Sequence, residues 1–127
     1  MRHKLLADYL MAVERALTLM PGIYVEYYVE EILTSDRANL RIRLRFANGY
    51  LLEINEAIII KGGKLVTLDY RYHCQDSRNR LIFRYDNAPH FPDLPSFPHH
   101  KHLANGTIAT KKPTVFPVLK ESQDVGT

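Results

Sequence analysis

The sequence predicts an α+β domain, an N-terminal helix packed on a five-stranded antiparallel β-meander with a proline-rich extended C-terminal segment. Three observations carry that prediction. Apolar residues recur at helical steps only near the start of the chain. Between residues 23 and 86 they recur in short runs with strand-like alternation, broken by turn residues. From Asn87 onward, prolines at 89, 92, 95 and 98 replace that alternation.

The helix spans residues 3–20. Leu5, Leu6, Tyr9, Leu10, Val13, Ala16, Leu17 and Met20 form one apolar stripe, with Lys4, Asp8, Glu14 and Arg15 off it. Pro21-Gly22 ends it. Residues 23–33 (IYVEYYVEEIL) are β-branched and aromatic and form the first strand, with Tyr24, Tyr27 and Tyr28 expected mainly in the core. SDRAN turns the chain into LRIRLRF, where Leu40, Ile42, Leu44 and Phe46 alternate with Arg41, Arg43 and Arg45. A three-residue loop, Ala47-Asn48-Gly49, places Gly49 at the left-handed position of a type I turn with a bulge. It sets Phe46 opposite Tyr50, Leu44 opposite Leu52, Ile42 opposite Ile54, Arg43 opposite Glu53 and Arg41 opposite Asn55. A two-residue loop would slip the register by one and set Arg43 against Ile54. The third strand runs through EAIII to the Gly62-Gly63 hairpin, LVTLDYRYHC is the fourth and RLIFRYD the fifth.

The proline segment is extended, because each proline fixes φ and removes a donor. Phe91, Leu94 and Phe97 lie between the prolines, and a disordered linker rarely carries such apolar content. The segment is therefore expected to cross the domain as a stiff strap. That strap would bring His100 or His102 near Arg84 or Asp86. The expected division is a single domain, 1–127, with an ordered core over about 3–104. The tail, 105–127, is read as a short helical turn that frays.

The 127 residues, 46% hydrophobic and 24% charged, suit one soluble globular domain with a sizeable core. No apolar run approaches the roughly 20 residues of a membrane span, and the N-terminus does not read as a signal peptide, so the expected location is the cytoplasm. One cysteine, Cys74, supports neither an intrachain disulfide nor a thiolate zinc cluster. There is no internal repeat, Gly-rich phosphate loop or CxxC pair, which argues against nucleotide-binding and zinc-finger classes. A net charge of +3 is compatible with an anionic partner without requiring one.

The chemistry concentrates late in the chain. Five of the six histidines, His73, His90, His99, His100 and His102, lie between residues 73 and 102. Histidine titrates near neutral pH, so the cluster suggests proton transfer or metal binding. Cleaving RNA without a metal needs a base for the 2′-hydroxyl, an acid for the departing 5′-oxygen and cations for the phosphorane charge. Arg84, Asp86, His90, His99, His100, Lys101 and His102 supply those types. Arg84 and Lys101 are the phosphate clamps in this reading, and no cofactor or metal is called for. Tyr72, His73 and Tyr85, with the Arg41, Arg43 and Arg45 stripe, are candidate RNA contacts. The stripe also fits an ordinary solvated strand face. Two other readings stay open. His90, His100 and His102 with Asp86 or Asp93 could ligate a metal in a metal-dependent hydrolase, although no established ligand spacing is present. The cluster could also be structural, with Asp86 and Asn87 making Asx turns.

The stretch RYDNAPHFPDLPSFPHHKH, with LEINEAIII and YRYHCQD before it, closely resembles the signature of the TumE-type toxins of bacterial and archaeal toxin–antitoxin modules. The resemblance covers roughly residues 20–103. It implies a small toxin neutralised by an antitoxin, often a DNA-binding protein. The layout is similar to RelE-like and barnase-like ribonuclease toxins, which implies an RNA substrate. A homodimer is compatible with this reading, and no membrane is involved. The tail departs from the expectation of an acidic C-terminal helix, since ATKKPTVFPVLKESQD is short, interrupted by proline and basic at its start. An antitoxin contact through that helix is accordingly not implied. A non-enzymatic alternative is a binding module acting through the proline loop.

Overall fold

The computed structural model describes residues 2–126. Its first element is helix α1, Lys4–Thr18, capped by His3, whose ring accepts the Leu5 N–H at 3.1 Å. The apolar stripe resolves into four fully turned-in residues, Leu6, Leu10, Val13 and Leu17. Five strands follow: β1 (Ile23–Thr34), β2 (Arg37–Phe46), β3 (Leu51–Lys61), β4 (Lys64–Gln75) and β5 (Leu81–Asp86). Two further strands, β6 (His100–Leu103) and β7 (Gly106–Ala109), precede helix α2, Val115–Val125. Every strand pairs antiparallel with its sequence neighbours, so the sheet is a seven-stranded meander in the order β1 to β7.

This corrects the expected five-stranded sheet. The strap does not lead into a trailing tail; it returns the chain to the free edge of β5, where His100–Leu103 adds a sixth strand. Leu103 and Gly106 then close a tight turn over Ala104-Asn105, and β7 pairs back on β6. The C-terminal segment is an eleven-residue helix. Pro117 is its third residue, in the first turn, where no intrahelical N–H bond is lost. Val115, Val118 and Leu119 of α2 join the same buried cluster as the α1 stripe.

The β2–β3 register is the one the three-residue loop requires. Ile42 faces Ile54, Arg43 faces Glu53 and Leu44 faces Leu52. Gly49 has φ +88° and donates its N–H to the Phe46 carbonyl at 2.9 Å. Because side chains alternate, the sheet has two unlike faces. Leu40, Ile42, Leu44, Leu52, Ile54, Tyr70, Tyr72 and Phe83 face both helices and form the core. Of the first-strand tyrosines, Tyr28 packs on the edge of that core, whereas Tyr24 is exposed. The opposite face carries Arg41, Arg43, Arg45, Asn55, Arg71, His73, Arg84 and Asp86, and among the described residues no helix covers it.

A buried carboxylate ties α1 to the sheet. Glu56, on the helix side of β3, accepts the Tyr9 hydroxyl at 2.6 Å and also the Tyr72 hydroxyl. Burial raises its pKa above the ordinary carboxylate range even though both phenols favour the ion.

Candidate functional site

The β5–β6 pairing assembles the site. Asp86 faces His100 and Arg84 faces His102, while the residues between them, Tyr85 and Lys101, pair on the other side of the sheet. On β4, His73 is the partner of Arg84. Strand alternation thus collects Arg84, Asp86, His100, His102 and His73 on the open face, although the histidines come from two separate segments.

Asp86 is the centre of the group and is buried. One oxygen lies 2.8 Å from His100 Nε2, the other 3.4 Å from His102 Nε2. It also accepts the Ala88 N–H at 3.0 Å, so the Asx turn considered from the sequence is present beneath the site. The His100 ring is 1% exposed, and its Nδ1 donates to the Pro98 carbonyl at 2.9 Å. His102 is partly exposed, with Nδ1 3.1 Å from the Thr107 hydroxyl. Phe91 of the strap packs edge-on against both rings, at 4.9 and 5.7 Å between centroids. The strap's aromatic content therefore holds the two histidines in place.

Arg84 Nε donates to His73 Nδ1 at 3.1 Å, and His73 Nε2 bonds to the Gln75 side chain at 2.8 Å. Accepting at Nδ1 fixes His73 as the Nε2–H tautomer. Burial, with the neighbouring Arg84 charge also contributing, holds the His73 pKa below the ordinary histidine value. Burial likewise lowers that of His102, against the opposing pull of Asp86. Both shifts favour the neutral ring at pH 7. Arg84 forms no ion pair among the described residues, which leaves its charge available. It borders two clefts. One, of about 580 Å³, is lined by Arg41, Asn55, Arg71, Asp86 and His90. The other, of about 470 Å³, is lined by His73, Gln75, His102 and Thr107.

The remaining sequence candidates lie elsewhere. Lys101 points to the helix side, where its ammonium pairs with Glu121 of α2 at 2.8 Å and sits over the Tyr85 ring at 4.7 Å. Tyr85 donates to the same Glu121, and Tyr72 is buried against Glu56. Neither phenol offers a free ring for stacking on the open face. His99 stacks on Tyr70 and bonds its hydroxyl at 2.9 Å, away from Asp86. Arg43 and Arg45 pair with Glu26 at 3.0 and 3.2 Å, whereas Arg41 lies over the Tyr27 ring and on the wall of the larger cleft. Arg71, Asn55, Gln75 and Thr107 were not singled out from sequence. Arg71 was legible, since it alternates with Tyr70 and Tyr72 and shares the phase of His73.

The sequence model of the family described as Toxin TumE matches residues 13–124. The chain belongs to the TumE toxin family. The match includes the whole β5–strap–β6 unit and nearly all of α2, so it reaches beyond the stretch that carried the resemblance. No curated protein and no solved structure matches the chain. Among the described residues, no helix is long and apolar enough to cross a membrane.

Proposed function

We propose that this TumE-family toxin is a metal-independent endoribonuclease, held in check by an antitoxin protein in a type II toxin–antitoxin pair. The observation that carries the reading is the convergence of Arg84, Asp86, His102 and His73 on the sheet face away from the helices, bordered by Arg41 and Arg71. RNA lies along that face, its phosphates drawn by the unpaired arginines and its bases entering the cleft lined by Asn55.

The roles follow from the contacts. The 2′-oxygen attacks phosphorus and its proton passes to the Asp86–His102 pair; His102 is neutral and able to accept it, and Asp86 stabilises the imidazolium that forms. Arg84, between the two clefts, holds the charge that builds on the phosphorane oxygens. His73, on the far side of Arg84, is the second proton-transfer group: the fraction carrying a second proton gives it to the departing 5′-oxygen, and solvent restores it. His100 is too buried to meet substrate. It is a positioning residue, held beside Asp86 by its bond to the Pro98 carbonyl and by packing against Phe91. The antitoxin, a DNA-binding protein in the modules this chain resembles, acts by denying RNA access to this face.

The test is cleavage of RNA by purified protein in EDTA. Wild type is expected to cut, and His102→Ala and Asp86→Asn to be strongly impaired while still folded. Equal survival of the RNA with wild type and both variants would refute the proposal.

A further inference from the structure

The contact between His100 and Asp86 is unusual for a hydrogen bond. His100 Nε2 lies 2.8 Å from an Asp86 oxygen, yet the approach is off-line and this buried nitrogen has no hydrogen-bond partner. The other ring nitrogen explains why. Nδ1 faces the Pro98 carbonyl, which can only accept, so Nδ1 carries the proton. In the neutral ring Nε2 then carries a lone pair, 2.8 Å from a carboxylate oxygen and not hydrogen-bonded to it. Two acceptors this close in a buried site repel unless a cation lies between them.

His102 completes the arrangement. Its Nε2 is 3.4 Å from the second Asp86 oxygen, and one donor atom from each of Asp86, His100 and His102 fits within 4.8 Å. Donors around a tetrahedral zinc ion sit about 2.0–2.2 Å from the metal, hence roughly 3.3 Å from one another. The observed spacings reach that geometry through small side-chain rotations. The outer nitrogens are already braced, by the Pro98 carbonyl and by the Thr107 hydroxyl, as they are in metal-ligating histidines. Two imidazoles and a carboxylate suit a borderline divalent ion such as Zn²⁺ and suit Mg²⁺ poorly.

We infer that Asp86, His100 and His102 form a site for a divalent transition-metal ion of the zinc type, and that metal bound there inhibits the toxin. The binding half stands on the geometry alone. The inhibitory half rests on the ribonuclease reading, since a metal ion on Asp86 and His102 withdraws the pair that accepts the proton.

Cobalt(II) reports the site without reference to activity. Titrating metal-free wild-type protein should produce visible d–d absorption of low-symmetry cobalt that saturates at one equivalent, and Zn²⁺ should abolish it. His102→Ala, His102→Gln and Asp86→Asn, each checked for native circular dichroism, should lose the band or bind at least about tenfold more weakly. His99→Ala should keep it. Absence of the band in wild type, or its persistence in all three ligand variants, overturns the binding half. In the cleavage assay, inhibition should follow zinc occupancy. Cleavage in EDTA that added zinc leaves unchanged overturns the inhibitory half alone. A wild-type band with RNA intact under all conditions supports the site and overturns the ribonuclease reading.

Discussion

Replacing Arg84 with alanine separates the chemistry from the fold. Arg84 is half-buried, donates one hydrogen bond, to His73, and enters no ion pair among the described residues. Losing that bond costs about 1 kcal/mol, or about 3–5 °C in Tm for a chain of this length. Its proposed role is larger, since it is the cation between the two clefts. Removing one preorganised donor from developing oxyanion charge costs about 2.7–4 kcal/mol, so single-turnover cleavage in EDTA should fall about 100- to 1000-fold. Arg84→Lys keeps the charge but not the guanidinium fork or the Nε bond, and should fall between the two. A second signature accompanies the loss of rate. The His73 pKa is held down mainly by burial and additionally by the Arg84 charge. In Arg84→Ala it should rise, moving the alkaline limb of the pH–rate profile, which the proton donor sets, upward. Cleavage within about threefold of wild type at unchanged Tm would refute the assignment of Arg84 to the reacting phosphate.

Three other outcomes are expected. Tyr72→Phe removes a hydroxyl from the buried Glu56 carboxylate and should cost about 1.5–3 kcal/mol, a Tm fall of about 5–12 °C by calorimetry; an unchanged Tm would show that the carboxylate does not depend on that bond. Because the Glu56 pKa is raised in the fold by burial, folding favours its protonated form. Its contribution to stability is greatest below 4.5, the ordinary value, and is lost as pH rises through the folded pKa, so wild type should lose stability relative to Glu56→Gln over that interval. Lys101→Ala breaks the Glu121 pair on the helix side and should loosen α2, seen as faster amide exchange there, while leaving cleavage within about threefold; a hundredfold loss at unchanged exchange would return Lys101 to the phosphate.

Much of this architecture was legible because strand alternation is a local signal. LRIRLRF alone defines which face of β2 is core, and Gly49 sets the β2–β3 register through a turn that requires positive φ. The signal failed where elements were too short or polar to show a period. HKHL and GTIA are four residues each, and two of the first four are histidines spent on the site. The Asn105-Gly106 pair that marks their turn had no apolar runs beside it. Helix α2 was obscured by Pro117, which breaks a helix in its interior but not in its first turn. Lys101 and His99 were grouped with His100 and His102 by proximity in sequence, yet a strand sends neighbours to opposite faces. Applied to HHKH, the same alternation separates them, and applied to YRYH it places Tyr72 in the core and Arg71 beside His73.

The site also explains why the strap is rigid. Asp86 ends one strand and His100 begins the next, so their meeting depends on a thirteen-residue connection returning to one register. A slip by one residue would turn His100 and His102 to the helix side and bring Lys101 against Asp86. Several contacts oppose that slip. The prolines restrict the connection's φ angles. Ser96 is fixed to the His99 carbonyl and to the Thr110 N–H, and Phe91 is wedged against both histidine rings. On the opposite face, Lys101 is anchored to Glu121. Lys101 therefore serves the site from the far side of the sheet, since the contact that takes it away from RNA helps keep its two histidine neighbours facing Asp86.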